Sequence, residues 1–127
     1  MEGIYEDTEV EVLDGHDAVE AMVGAEPHHA APFLAAIYHP ECPHCHPMHD
    51  DFVKLAEVVK EQHLPISIVA INASKFKPED VAKLELRSVP TIRFFNGPNN
   101  YHEYWESERD FTHFVSFLKN EGVDIHV

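Results

Sequence analysis

The chain has 127 residues and carries 23 acidic against 9 basic side chains, a formal net charge of −14 at pH 7. This length predicts a single domain over residues 1–127, with room for a sizeable core. The acidic excess argues against nucleic acid and anionic membranes as partners, because both are bound through clustered Lys and Arg. The sequence contains no apolar run of about 18 residues, so we expect no membrane insertion.

The apolar patterning predicts elements in the order βαβαβαββα, an α/β fold whose mixed sheet has helices on both faces. Continuous apolar runs are typical of strands buried on both faces, whereas apolar residues three and four apart indicate helices. The acidic residues 1–9 are expected to form a loose lead-in. The predicted strands are Val10–Leu13, Phe33–Tyr38, Ile66–Ile71, Thr91–Phe95 and Tyr101–Glu106. The predicted helices begin at Asp14 or Asp17 (ending by Gly24), at about His44 (ending at Glu61), at Pro78 (ending at Leu84) and after a cap at Ser107 (ending before Gly122).

The two cysteines carry the clearest chemical signal. Cys42 and Cys45 form a Cys-x-x-Cys motif between a buried strand and a predicted helix start. Free backbone N–H groups and the helix dipole stabilise a thiolate there, and such settings lower a thiol pKa from about 8.5 to roughly 3.5–7.5. We therefore expect Cys42 to be the nucleophile, His44 to stabilise its thiolate, and Cys45 to be the more buried resolving thiol. The negative charge of the neighbouring Glu41 disfavours the Cys42 thiolate, but solvent screens that charge.

Three other interpretations of this segment stay open. Cys-x-x-Cys-His is also the attachment pattern of c-type haem. Two thiols among histidines could bind zinc or copper, although zinc ligands usually come from two separate segments. The thiols could also be unreactive core residues. We predict no resident metal or cofactor; the ligands of the metal alternative would be Cys42, His44, Cys45, His46 and His49.

Taken together, the motifs resemble the thioredoxin superfamily, and among its members a single catalytic domain of protein disulfide isomerase. The dipeptide Pro43-His44 is similar to that of the DsbA oxidants, which implies an oxidising disulfide. The resemblance implies the thioredoxin fold over nearly the whole chain. The matching segments are FLAAIYHPECPHC (33–45), VAINA (69–73), LRSVPTIRFFNG (86–97) and YWESERDFTHFVSFL (104–118).

The resemblance also implies roles for residues outside the cysteine motif. The Val89–Pro90 peptide bond is expected to be cis, and Arg109 is expected to move toward the site and help the second cysteine ionise. The substrate groove would be formed by Pro43, Val89, Pro90 and Thr91.

One position departs from the family pattern in a way that affects proton transfer. The family's buried acid, which handles the proton of the second cysteine, is replaced by Ala36. His39, His49 and Arg109 are the candidates to take over its role.

The sequence thus predicts a monomeric thiol–disulfide oxidoreductase that oxidises or isomerises disulfides in protein or peptide substrates. Glutathione or another thiol would be its redox partner. The alternatives are a thioredoxin-like reductase, a redox-inert binding module and a metal-binding protein. The start of the sequence shows no signal peptide, which favours the cytoplasm. Oxidising chemistry favours the endoplasmic reticulum lumen, if the chain is a trimmed piece of a longer protein.

Overall fold

The computed structural model describes residues 5, 8–13, 18, 19, 22, 32–43, 45–96 and 100–126. Within them, one mixed sheet has helices packed against both faces. In chain order the elements are β1 (Glu11–Leu13), β2 (Phe33–Tyr38), α1 (His49–Glu61), β3 (Ser67–Asn72), a 3₁₀ turn (Ala73–Lys75), α2 (Pro78–Lys83), β4 (Thr91–Phe95), β5 (Tyr101–Glu103) and α3 (Phe111–Asn120).

The sheet has the order β1-β3-β2-β4-β5. β3 runs parallel to both β1 and β2, whereas β4 runs antiparallel to β2 and to β5. The central strand β2 is buried along its whole length. Because successive side chains of a strand point to opposite faces, β2 contributes to two separate cores. Leu34, Ala36 and Tyr38 pack with α1 and α3, and Phe33, Ala35 and Ile37 pack with Ala18, Val19 and Met22.

The predicted α/β fold is confirmed, and the strand predictions at Phe33–Tyr38 and Thr91–Phe95 match the observed bounds. Ala18, Val19 and Met22 are helical, and the other residues of that predicted helix lie outside the described residues. Among the helices of the described ranges, none is long and apolar enough to cross a lipid bilayer.

Predicted bounds of β1, β3 and α2 differ from the observed ones by one residue, and three other predicted bounds are wrong by three residues or more. α1 begins at His49, not near His44, and turns occupy residues 45–48; Pro47 has no N–H to donate to a helical hydrogen bond there. β5 ends at Glu103 and not at Glu106. The cap of α3 is Asp110 and not Ser107.

The cap of α3 follows from side-chain geometry. A carboxylate of Asp110 accepts a hydrogen bond from the backbone N–H of His113 at 2.9 Å, which satisfies one of the free amides of the first turn. Ser107 instead donates its hydroxyl to the side chain of Glu108 at 3.0 Å. The segment that carries Arg109 is therefore a non-helical connection between β5 and α3.

The expectation of a loose lead-in is wrong for Tyr5, which is buried in the core. The Thr8 hydroxyl donates to the Tyr5 carbonyl at 2.6 Å and accepts from the Val10 N–H at 3.2 Å, which forms a turn that leads into β1. Glu9 forms an ion pair with Lys60 of α1 at 2.7 Å. Burying an aromatic ring provides enough apolar contact to hold this segment against the domain.

Arg93 of β4 is a buried charge that ties the connection between α2 and β4 to the sheet. Its guanidinium donates to the carbonyl oxygens of Leu84 and Glu85 at 2.7 and 3.3 Å and to the carboxylate of Glu103 at 2.8 Å. It also lies 4.4 Å from the ring centre of Tyr101. This connection contains the Val89–Pro90 bond, so Arg93 helps to fix the loop on which the predicted substrate groove depends.

Arg93→Ala is expected to lower the free energy of unfolding by about 3 kcal/mol or more, because the change leaves a buried carbonyl and a carboxylate without their partner. Urea denaturation followed by circular dichroism measures the effect. Arg87→Ala is the control, since Arg87 is exposed on the same connection and surface changes usually stay within about 0.5 kcal/mol. Equal losses in the two variants would contradict the structural role of Arg93.

Candidate active site

Cys42 and Cys45 lie in the turns between β2 and α1, and both are free thiols. Cys42 is 6% exposed and Cys45 is fully buried. The Cys42 N–H donates to the carbonyl of His39 at 2.9 Å, and the Cys45 N–H donates to the carbonyl of Cys42 at 3.3 Å. Both thiols are thus buried, and Cys45 is the more buried of the two, as the sequence predicted.

The pKa of the Cys45 thiol is raised to about 12, first by burial and then by its hydrogen bond with Cys42 and the negative charge of an ionised Cys42. A hydrogen bond with the His39 backbone and the positive charge of Arg109 oppose this shift. At neutral pH Cys45 therefore keeps its proton and can donate a hydrogen bond to the Cys42 sulfur.

The positive charge of Arg109 acts on Cys45, and its predicted role in ionising this thiol stays a prediction. Arg109 is half-buried in the connection before α3, and its charge lowers the pKa of Cys45. The neighbouring Tyr104 is buried, and its hydroxyl donates to the carbonyl of Glu108. That hydrogen bond anchors the residue immediately before Arg109, so a core tyrosine helps to hold the guanidinium near the thiols.

The loop before β4 has the geometry that the resemblance implied. The Val89–Pro90 peptide bond is cis. Pro90 is buried and Val89 half-buried, and the Thr91 hydroxyl donates to the carbonyl of Ser88 at 2.6 Å. Beside the thiols, Pro43 is exposed. The roles of these residues in substrate binding stay predictions.

A surface cleft of about 690 Å³ borders this loop. Ser88 and Thr91 line it together with Trp105, whose side chain is 81% exposed. Neither cysteine lines the cleft. The cleft therefore gives no access to the thiols.

The histidine cluster is only partly described, because His44 lies outside the described residues. His39 Nδ1 accepts the N–H of Glu41 at 3.1 Å, His46 Nε2 donates to the carbonyl of Pro40 at 2.9 Å, and His49 Nδ1 contacts a carboxylate oxygen of its neighbour Asp50 at 3.0 Å. Among the residues that the structure describes, no three His, Cys, Asp or Glu side chains are arranged to hold a metal ion. The hydrogen bonds of these three histidines thus connect residues within the same segment.

Tyr5 is a residue of the site region that the sequence analysis missed. Its ring stacks on His49 at 4.9 Å and contacts Tyr38 and Phe52 edge-on at 5.4 and 5.7 Å. The only signal in the sequence is one aromatic residue within an acidic segment. Its hydroxyl is buried and has no hydrogen-bond partner among the described residues; such a group typically costs about 1–3 kcal/mol.

Comparisons with known proteins agree with this geometry. A family model described as Thioredoxin matches residues 16–120. Protein disulfide isomerase-like 2-2 of Oryza sativa subsp. japonica is 32% identical over 89 residues, which cover 69% of this chain and 23% of that protein. Protein disulfide-isomerase of Medicago sativa is 28% identical over 91 residues, which cover 70% of this chain and 18% of that protein. The chain thus spans about a fifth of the length of these curated relatives.

A solved structure supports the fold independently. The J-Trx1 fragment of ERdj5 superimposes with a TM-score of 0.74 at 21% sequence identity, covering 94% of this chain and 55% of that chain. At this identity the likeness concerns the fold alone.

The raised pKa values predict that stability falls at alkaline pH. In the unfolded chain Cys and Tyr ionise near about 8.5 and 10, whereas folded Cys45 and Tyr104 keep their protons until about pH 12. The native state then binds more protons than the unfolded state, so the free energy of unfolding decreases as pH rises above about 9. The decrease is up to about 1.4 kcal/mol for each pH unit and for each of the two groups.

Urea denaturation at a series of alkaline pH values measures this decrease. Tyr104→Phe removes one contributing group, so its stability is expected to fall less steeply above about pH 10 than that of the unchanged protein. Identical slopes for the two proteins would contradict the assignment.

Proposed function

Since the chain belongs to the thioredoxin family, we propose that it is a thiol–disulfide oxidoreductase that oxidises or isomerises disulfides in protein substrates through Cys42 and Cys45. The observation that carries the proposal is the inequality of the two neighbouring thiols. Cys42 lies near the surface, whereas Cys45 is fully buried and protonated at neutral pH. A nucleophile and a resolving thiol require this division of roles.

Oxidation of a substrate dithiol proceeds in two exchanges. A substrate thiolate attacks the Cys42 sulfur of the oxidised pair, a substrate–Cys42 disulfide forms, and the electron pair of the broken bond moves to the Cys45 sulfur. A second substrate thiolate then attacks the substrate sulfur of that mixed disulfide and releases Cys42 as a thiolate. The substrate loses two electrons and the Cys42–Cys45 pair gains them. In isomerisation, Cys42 attacks a substrate disulfide, and a different substrate thiolate displaces it.

Escape from a stalled mixed disulfide requires Cys45 to ionise. Once the Cys42 sulfur is bonded to substrate, it is no longer a thiolate. It therefore carries no negative charge and no longer accepts a hydrogen bond as a thiolate. Two of the causes that raise the pKa of Cys45 are then removed, while Arg109 still lowers it. Ionisation of Cys45 is therefore easier at the step at which it must attack Cys42 than in the reduced pair.

The substrates that suit this site are extended protein or peptide segments. The loop with the cis Val89–Pro90 bond and Thr91 is the proposed surface for their backbone, and the exposed Pro43 borders the reacting sulfur. The net charge of −14 favours basic over acidic clients through long-range attraction. Glutathione is the proposed small-molecule thiol that restores the redox state of the pair.

Cysteine variants test the division of roles. Cys45→Ala is mixed with a peptide that has been oxidised with glutathione. This variant is expected to accumulate a mixed disulfide between Cys42 and the peptide, because the resolving thiol is missing. Cys42→Ala is expected to form none, since Cys45 is buried. Non-reducing electrophoresis and intact mass measure the adducts. If Cys42→Ala still binds peptides and the unchanged protein exchanges no disulfide, the chain is a redox-inert binding module.

The equilibrium potential against glutathione separates oxidation from reduction. A value near about −180 mV or above is expected for an oxidase or isomerase, whereas a value near about −270 mV would instead indicate a thioredoxin-like reductase. The dithiol and disulfide forms are quantified by alkylation and mass spectrometry after equilibration.

Arg109→Gln is expected to slow the attack of Cys45 on a preformed Cys42–glutathione disulfide by about threefold to tenfold at neutral pH, because a positive charge that favours the Cys45 thiolate is lost. Stopped-flow measurement of glutathione release gives the rate. Arg87→Gln is the matched control, as Arg87 is exposed and has the same charge. Equal rates in the two variants would exclude a role for Arg109 in this step.

A further inference from the structure

Short turns carry the two cysteines from the end of β2 to the start of α1. The N–H of Cys42 donates to the carbonyl of His39 at 2.9 Å, and the N–H of Cys45 donates to the carbonyl of Cys42 at 3.3 Å. The N–H of His49 then donates to the carbonyl of His46 at 3.1 Å. Each of these backbone hydrogen bonds joins residues within a single turn, so none of them fixes one turn against the next.

A side-chain hydrogen bond spans both cysteines. The Nε2 atom of His46 donates to the carbonyl oxygen of Pro40 at 2.9 Å. A carbonyl oxygen only accepts, so this nitrogen carries a hydrogen, whether the ring is neutral or protonated. Pro40 lies two residues before Cys42, and His46 directly follows Cys45. The bond, called the clamp below, therefore closes a ring over residues 40–46 that contains both thiols.

The clamp joins a segment held by the core to the segment before the first thiol. Pro40 is buried and His46 is half-buried, so water competes less for the carbonyl oxygen than it would on an open surface. Met48, two residues after His46, is 1% exposed and packs in the same core cluster as both thiols. The backbone after His46 is thus held by the core, and the imidazole holds the segment before Cys42.

A clamp across this ring favours bond formation between the two sulfurs. When Cys42 and Cys45 join, the backbone between them loses conformational freedom, and this loss opposes the disulfide. The clamp and the disulfide order the same backbone, so each makes the other more favourable. With the clamp in place, the effective concentration of Cys45 at the Cys42 sulfur is therefore higher.

We propose that His46 is a positioning residue for the disulfide exchange: through the clamp to Pro40 it holds the two cysteines in the arrangement in which their sulfurs can join. The inference rests on the proposed oxidoreductase function. The role differs from the metal ligation that the sequence left open, because Nε2 of His46 is already bound to a carbonyl oxygen.

The clamp acts at the step that resolves a mixed disulfide. Cys45 loses its proton to solvent and its thiolate attacks the Cys42 sulfur. The Cys42–Cys45 bond forms, and the electron pair of the broken bond leaves on the substrate sulfur. In the reverse direction a substrate thiolate attacks Cys42, and the electron pair moves to Cys45. The clamp transfers no electron or proton; it favours the joined pair, so it speeds resolution and makes the disulfide a weaker oxidant.

Two variants of the full chain test the clamp. His46→Ala removes the donor, whereas His46→Gln keeps an N–H at the end of a side chain of similar reach. Each protein is equilibrated with glutathione buffers, and its dithiol and disulfide forms are quantified by alkylation and mass spectrometry. His46→Ala is expected to lower the equilibrium constant for disulfide formation about threefold to tenfold, the range of one neutral hydrogen bond. The potential then rises by about 15 to 30 mV.

The rate of resolution gives a second readout. Cys42 is converted to its glutathione disulfide, and the release of glutathione by Cys45 is followed by stopped flow. Release is expected to be about threefold to tenfold slower in His46→Ala. His46→Gln is expected to recover most of the potential and of the rate, because its amide donates a hydrogen bond without a charge or a ring.

His126→Ala is the matched control. The ring of His126 is exposed and contacts Asp124 at 3.3 Å. Its backbone N–H donates to the side chain of Gln62, at the opposite end of α1 from the thiols. This variant removes one histidine ring without touching the clamp, so it is expected to keep the potential and the release rate of the unchanged protein.

Three results would overturn the inference while the oxidoreductase function stands. The first is an unchanged potential and release rate in His46→Ala. The second is an equal loss in His46→Gln and His46→Ala, which would show that the donor is not the cause. The third is an equal shift in His126→Ala. If the unchanged protein forms no Cys42–Cys45 disulfide in any glutathione buffer, the proposed function fails and the inference fails with it.

Discussion

The constraint on which the site depends is that Cys45 is fully buried. A low-dielectric environment disfavours a thiolate unless a donor or a positive charge compensates for the lost water. The buried thiol therefore stays protonated at neutral pH and offers a hydrogen bond to the Cys42 sulfur. In the proposed reaction, bonding of Cys42 to a substrate makes ionisation of Cys45 easier, because one cause of its raised pKa is removed. The order of the proposed steps thus follows from the deeper burial of Cys45.

Burial of the second thiol requires that the surrounding loops stay in place, and two buried polar side chains contribute to this. Arg93 connects the segment before β4 to the sheet through two carbonyl oxygens and the Glu103 carboxylate. The hydroxyl of Tyr104 holds the segment that carries Arg109. Each of these groups satisfies backbone carbonyls that no strand or helix pairs, which is the usual way in which irregular backbone is stabilised near a core. The site is therefore built on loops, but on loops fixed by the core.

The net charge of the chain is negative, whereas the side-chain charge of Arg109 that acts on Cys45 is positive. The chain is strongly acidic overall, and Arg109 lies among the carboxylates of Glu106, Glu108 and Asp110 in the sequence. Carboxylates in contact with solvent are screened, whereas a half-buried guanidinium acts across a medium of lower dielectric constant on a buried sulfur. For this reason one cation can act on Cys45 within an acidic protein.

The sequence by itself determined the order of the elements, the two continuous apolar strands, the Cys-x-x-Cys motif and, through resemblance, the cis Val89–Pro90 bond and the place of Arg109. The elements and the Cys-x-x-Cys motif depend on local patterning, which the sequence shows directly, whereas the cis bond and Arg109 were implied only by the resemblance over nearly the whole chain. Only the tertiary structure decided that Tyr5 joins the core, that Arg93 is bound by Leu84 and Glu103, and that α1 starts at His49. The first two outcomes depend on contacts between distant segments, and the start of α1 depends on the turns before it, where Pro47 has no N–H for a helical hydrogen bond. Such contacts leave no periodic signal in the chain, because burial is set by what packs against a residue and not by its neighbours in sequence.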